Sequence, residues 1–403
     1  MKTKYLPYTL ILALTIINTL KFKMPTDRAA LPDPNKPEFP YVPNFRISIK
    51  AHKPPEPFDK DYRRDPQRRV TVNSLRKLSQ SEYVSKTSLL ESDTRESETA
   101  LKPETASLSI IKPIAAQDSR GAQVVLCDVE PHNGSEKYQA VAKIYDALYY
   151  PFWHKSAREP SDVVYRADKD YTWEAAAYDH LDANVKCGKI SVPRFFGSWT
   201  FTLPLEQSEE TVERSVRLIL IEYLDGVAME ELLVPNGGEF RDATHYQEGF
   251  RLEVLKTVLE VHMHLLNIGI HRSDLDASKV MLVPRPEPDS TPETPLRVVL
   301  IGYNRATVMG KTKYSEAIGS QKPTNPMYYY DSCQIYEFPG WVLLEWKDDI
   351  DKQRRWLEHR FGSKEMQAQY ARPRYMEEAY ESTEEDTLEE EGGPKWHDKV
   401  AVL

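Results

Sequence analysis

Two lysines, a glutamate and an aspartate stand in this chain at spacings suited to the handling of charge. Lys143 lies in the apolar run Tyr138 to Tyr145, and Glu174 follows thirty-one positions on, within Tyr171 to Leu181. An ammonium tethered by a carboxylate is held in one place, where it can meet an anion such as a phosphate. Farther along, Ser273 to Leu282 reads SDLDASKVML and contains Asp274 and Lys279, and Leu300 to Asn304 reads LIGYN. A loop carboxylate such as Asp274 can take a proton from a hydroxyl. Lys279 and Gly302 offer nothing to a divalent cation: glycine has no side chain to ligate it, and lysine repels it.

These residues need a sheet, a helix and a loop to bring them together. Gln123 to Glu130 is rich in β-branched residues, Pro131 to Gly134 makes a turn, and Tyr138 to Tyr145 returns as a second strand, so a hairpin carries Lys143. In the next segment Trp173, Ala177 and Leu181 recur on one helical face. Glu174 stands one step round from that face, where it can point at the sheet and pair with Lys143. Ile190 to Trp199 suits a strand entering a turn, and Val216 to Leu224 a buried strand followed by Asp225 and Gly226. Leu252, Leu255, Val258, Leu259, His262, Leu265 and Leu266 mark an amphipathic helix that Gly269 ends. His262 and His264 face different ways on it and make no metal site. A Pro-rich insert, Pro284 to Pro295, then leads to an apolar strand, Val298 to Ile301.

In this order the segments resemble a protein-kinase-like family found in fungi, whose members have Ala-Lys-Ile-Tyr in the small lobe and Asp-Phe-Asn-Arg-Ala after the catalytic loop. The resemblance covers about Gly121 to Phe361 and rests on Ala142 to Tyr145, Glu174, Asp274, Val280 to Leu282, and Gly302 to Ala306. It implies an α+β, two-lobed kinase-like fold: a β-rich small lobe over 109–225, a reduced, mainly helical large lobe over 226–372, and disordered arms at both ends. It also implies roles. Lys143 would hold the α and β phosphates of ATP and Glu174 would fix it; Glu222 and Leu224 would lie in the hinge that binds adenine, with Ile221 controlling the back pocket; Asp274 would be the catalytic aspartate.

The departures from the family decide the expected chemistry. Lys279 stands where an asparagine binds the second magnesium, and Gly302 where an aspartate binds metal. Arg272 and Ser273 replace the His and Arg that precede the catalytic aspartate, so His271 and Arg272 sit one place early. No Gly-x-Gly-x-x-Gly precedes the hairpin, Gly121 being the only candidate, and no Ala-Pro-Glu follows. Loss of metal stabilisation worth about 4 kcal/mol slows turnover about a thousandfold. The resemblance therefore implies a catalytically impaired pseudokinase that binds ATP, if at all, without Mg2+, and acts as a binding or regulatory module. The alternative is an active atypical Ser/Thr kinase, in which Lys279 replaces a magnesium and pairs with Asp274 at rest, or a small-molecule phosphotransferase, either using ATP with little or no metal.

Composition frames these readings. The chain has 403 residues, 40% hydrophobic and 29% charged, enough for one sizeable core or two lobes. A formal charge of -9 argues against nucleic acid as a partner. The three cysteines, Cys127, Cys187 and Cys333, are too scattered for a disulfide scaffold or a zinc site and suit a reducing compartment, cytoplasm or nucleus. Residues 1–24 hold an apolar run, Tyr5 to Leu20, flanked by lysines, which reads as a gene-model extension or, alternatively, a membrane anchor; residues 5–20 are the only route to a membrane. Residues 25–108 read as a Pro- and Ser-rich, largely disordered arm with a basic cluster at Arg63, Arg64, Arg68, Arg69, Arg76 and Lys77. Residues 373–403 read as a disordered acidic tail, with Ser382, Thr383 and Thr387 in acidic contexts. Neither a protein partner nor a small-molecule substrate can be named from these features.

Overall fold

The hairpin that carries Lys143 forms as its alternation dictates. In the computed structural model, which describes residues 31–373 apart from 60, 66–69, 93–103, 155, 185–190, 207–209, 238–240, 289–294, 315–321, 332–334 and 336–337, β3 (Gln123–Pro131) pairs with β4 (Tyr138–Tyr145) in the register Cys127 to Ala140. Strand β2 (Thr105–Ala115) flanks β3, and β8 (Thr211–Glu222) flanks β4 with Lys143 opposite Ile219. Strand β7 (Phe195–Glu206) pairs with β8 along almost its whole length. These five strands leave the edges of β2 and β7 unpaired. Strand β1 (Arg46–Ala51) fills the gap, pairing with both and closing a six-stranded antiparallel barrel. Closure removes the free edges that an open sheet would expose.

Period-two alternation sorts the side chains into two sets. Ile49, Leu108, Ile110, Val125, Cys127, Val129, Ala140, Ala142, Ile144, Leu218 and Leu220 are buried in the barrel interior. The other face of β4 carries Val141, Lys143 and Tyr145, and the last two meet Glu174 of a helix.

The 72–85 region supplies the short helices α1 (Val72–Leu75) and α2 (Gln80–Ser85). Two helices are long: α3 (Val163–Asn184) and α4 (Glu248–Asn267). Two-residue ladders, β5 (Trp153–His154) with β6 (Glu159–Pro160) and β10 (Val234–Pro235) with β11 (Arg241–Asp242), brace connections. Strand β9 (Val227–Ala228) joins β13 (Val280–Val283) and β14 (Arg297–Leu300), and β12 (Ile270–Arg272) pairs with β15 (Ala306–Val308). Gly226 has to be glycine here, because a Cβ would lie 2.3 Å from the Leu282 carbonyl oxygen. The remaining helices are α5 (Pro326–Tyr329), α6 (Glu345–Asp348), α7 (Ile350–Phe361) and α8 (Lys364–Gln369).

This architecture overturns the expected two-lobed kinase-like fold with a mainly helical large lobe. The protein is mixed α/β, built round the closed barrel and with few helices. The physical cause lies in the chain after Gly269: the β-branched runs Val280 to Val283 and Val298 to Val299 form strands, and Pro284, Pro286, Pro288, Pro323 and Pro326 forbid long helices. The arm over 25–108 also departs from its disordered reading. Ile47 and Ile49 alternate on β1, and Tyr41, Phe58, Tyr62, Leu75 and Tyr83 are buried; apolar anchors between the prolines give the segment a core to join.

Among the described residues no helix is long and apolar enough to cross a membrane. The apolar run Tyr5 to Leu20, Arg68, Arg69, Cys187, Cys333 and the acidic tail lie outside the described residues.

Candidate functional site

Lys143 and Glu174 meet. The Lys143 Nζ donates to Glu174 Oε1 at 2.6 Å and is bonded to Oε2 as well. The Glu174 side chain is fully buried and that of Lys143 is 13% exposed. Helix α3 packs on the outer face of β4, which turns residue 174 towards the sheet. Two further donors complete the carboxylate's shell: the Tyr145 hydroxyl to Oε2 at 2.7 Å and the Tyr303 amide to Oε1 at 3.0 Å. Burial, and then the negative charge of Glu174, hold the Tyr145 phenol well above its ordinary range. It therefore stays a donor.

The Tyr303 amide ties this pair to the loop that holds the other candidates. Gly302, at φ +71°, adopts a left-handed conformation that favours glycine, and a Cβ there would meet Lys279 Cδ at 3.2 Å. The aliphatic stem of Lys279 thus lies along Gly302, and the Ile301 amide bonds the Lys279 carbonyl at 2.9 Å. Lys279 Nζ donates to Ser278 Oγ at 3.1 Å. It does not take up the expected resting pair with Asp274. That carboxylate lies instead beside Arg272, Oδ1 to Nη2 3.5 Å, and its side chain is 10% exposed. Asp274 Oδ1 makes no hydrogen bond with the described residues.

Arg272 has a role that its sequence position did not disclose. Its Nη2 donates to the carbonyls of Ile301 and Gly302 at 2.9 and 3.0 Å, and its guanidinium lies 4.7 Å from the Tyr303 ring centroid. Tyr303 meets Tyr178 edge-on at 5.2 Å, and Tyr178 stacks on Phe195 at 5.4 Å. A column of four side chains, Phe195, Tyr178, Tyr303 and Arg272, therefore runs from the barrel to the Asp274 loop. One part was readable beforehand: Tyr178 follows Glu174 by one helical turn and must share its face. The stacking itself is tertiary and has no local signature.

The residues expected in the hinge, Glu222 and Leu224, lie at the end of β8 and just beyond it. Glu222 accepts from Arg297 Nη1 at 2.6 Å, from Arg297 Nη2 at 3.1 Å and from the Arg194 amide at 3.0 Å. Burial works against its charge, but Arg297 and the Arg194 amide prevail and hold the carboxyl below its usual range. The Glu222 amide donates to the Arg194 carbonyl, and the buried Leu224 accepts from Gly226 at 3.0 Å. Glu222 thus clasps β8 to β14. Behind this clasp a cavity of about 200 Å³ is lined by Tyr178, Leu181, Val192, Phe195 and Arg297.

The arrangement brings Lys143, Glu174, Asp274, Lys279 and Gly302 into one connected network; Glu222 is bonded to Arg297 and lines the cavity beside it, and Leu224 follows on the chain. Among the described residues no three His, Cys, Asp or Glu side chains converge as a metal-binding group. No protein-family model matches the chain, and no curated protein does.

Proposed function

We propose that this chain is a catalytically impaired, protein-kinase-like binding module that takes the phosphates of a nucleotide such as ATP on lysines rather than on a metal. The likeness is one of motif order and site, and it does not extend to a two-lobed architecture. The observation that carries the reading is Lys279 lying along Gly302: this places an ammonium stem at the turn whose next amide, Tyr303, is bonded to the partner of Lys143. Two lysines therefore flank one turn. Ammonium groups neutralise phosphate as point charges, but they do not bridge phosphate oxygens as a bound metal does. Binding can survive such a replacement while transfer suffers. The active alternative drew on a Lys279–Asp274 pair, and Lys279 is bonded to Ser278 instead. This supports recognition, of nucleotide and of a protein partner, over transfer. Cytoplasm or nucleus suits the buried free thiol of Cys127.

A thermal-shift titration with ATP, in magnesium and in EDTA, tests this. Equal stabilisation in both is expected, together with its loss in Lys143→Ala. Lys279→Asn combined with Gly302→Asp should make the shift depend on magnesium. Stabilisation of the unaltered protein only with magnesium, or none in either buffer, overturns the reading.

A further inference from the structure

The stretch His52 to Asp59 and Asp61 to Arg64 leaves the barrel directly after β1 and then touches two elements of the site in turn. On α3, His52 Nδ1 shares a 2.6 Å hydrogen bond with the Tyr171 hydroxyl, and the Phe58 carbonyl accepts from Trp173 Nε1 at 2.7 Å. Asp59 is paired with Lys169 at 3.2 Å, and the fully buried Phe58 ring meets Tyr165 edge-on at 5.2 Å. The same stretch then grips the chain that follows Tyr303. The buried Tyr62 hydroxyl donates to the Ala306 carbonyl at 3.3 Å and accepts from the Val308 amide at 3.0 Å, while its ring lies 5.2 Å from that of Trp173. The Asp61 carbonyl accepts from the Lys313 amide at 2.8 Å, Arg63 Nε donates to the Thr312 carbonyl at 3.0 Å, and Glu56 pairs with Lys311 at 2.7 Å.

From this we infer that the stretch is a strap that sets the Lys143–Glu174 pair. Glu174 depends on donors from two bodies, Lys143 and Tyr145 on β4 and the Tyr303 amide on the loop. Its network closes only while α3 and the 303–308 chain keep one relative position. Trp173, the immediate neighbour of Glu174, is where the strap holds the helix, and Ala306 and Val308 are where it holds the loop. Because β1 anchors the strap in the barrel wall, a pull on the arm reaches Glu174 through a short path. Release of the strap frees α3 to withdraw the carboxylate from Lys143. This inference does not need the nucleotide reading, since its object is the pair itself.

Two conservative substitutions test it on the full chain. Tyr62→Phe removes the hydroxyl and keeps the ring, and Trp173→Phe removes the bond to Phe58. Hydrogen exchange would be followed in peptides covering 163–184, 300–308 and 123–145, with the rate at which an amine-acylating reagent modifies Lys143. Each variant should speed exchange in the first two regions and acylation of Lys143 severalfold, leaving the β3–β4 hairpin unchanged, and the double variant should exceed both. A rise confined to 300–308, with Lys143 unaffected, overturns the strap in favour of a local staple. A uniform rise that includes the hairpin overturns it in favour of general destabilisation. If the double variant does not fold, the two single variants decide by the same criteria.

Discussion

Glutamine at position 174 would keep the shape of the side chain while removing the charge that Lys143 and two further hydrogen-bond donors are arranged to meet. Glu174 is fully buried and Lys143 is nearly so. Withdrawing one member of such a pair leaves the other ammonium with little water to solvate it, which costs about 3 kcal/mol. The neutral amide also presents its NH2 group towards the Tyr145 hydroxyl or the Tyr303 amide, both of which donate to this carboxylate. Glu174→Gln should therefore lower the urea midpoint at unchanged slope, and Glu174→Asp should fall between the two because its shorter stem keeps the charge but strains the bonds. A midpoint that does not move would mean that Lys143 finds another partner at no cost. Lys143 and Glu174 were legible in the sequence because a strand and a helix of recognisable period bear them. Arg272 and Tyr303 were not, since their contact is between aromatic and cationic faces brought together only by folding.

At the scale of elements, α4 shows what pattern reading reaches and where it stops. Its apolar stripe predicts the helix from Leu252 to Leu266, and the structure extends it to Glu248–Asn267. What the stripe does not disclose is that His262 is buried, sharing a 2.6 Å hydrogen bond with the Tyr330 hydroxyl, its Nε2 making none with the described residues. Burial first, then the positive charges of Arg272 and His271, lower its pKa from 6.5 to about 4. A histidine depressed in the folded state stabilises the fold fully above pH 6.5. As pH falls from 6.5 towards 4 the unfolded chain binds a proton that the folded one refuses, and stability drops by up to about 1.4 kcal/mol per unit, about 3 kcal/mol in all. His262→Gln should flatten the loss between those limits relative to the unaltered protein, as followed by urea midpoints at pH 7 and 4.5; parallel curves would show that His262 titrates normally. Strand β1 marks the opposite limit. Ile47 and Ile49 alternate as a strand should, but prolines lie on both sides, and the partners at Thr105 and Trp199 are far along the chain. Register between distant strands is written in their packing, not in either segment. The helical large lobe failed for a related reason: the long amphipathic helix, the strand at Val298 to Ile301 and a helix near Lys347 to Phe361 were legible as separate elements, and the structure forms Arg297–Leu300 and Ile350–Phe361, but their assembly into a helical lobe was carried by resemblance alone.

At the scale of the whole molecule, the closed barrel is the feature on which the other layers rest, and Cys127 is placed to report on it. The residue lies at the centre of β3, has no exposed surface, and donates its thiol to the Ala140 carbonyl at 3.3 Å. Burial, and secondarily Asp128, push its pKa up to about 12. The thiolate is the reactive form, so in the native barrel a thiol reagent has neither access nor a nucleophile. Modification has to wait for the wall to open. With a folding stability of at least about 5 kcal/mol, labelling should be at least about a thousandfold slower than in the urea-unfolded chain. The weak place in the wall is β1, whose register with β7 among the described residues is limited to Lys50 and Ala51, with the His52 amide adding one bond to the Ser198 carbonyl. Ile49 is its buried anchor, and truncating such a side chain costs about 3 kcal/mol. Ile49→Ala should then speed labelling of Cys127, read by site-resolved mass spectrometry, by about a hundredfold if opening of β1 is the step that admits the reagent. Labelling that stays at the native rate while the melting temperature falls would place the opening elsewhere in the wall, and β1 would then be a covering strand rather than the closing one.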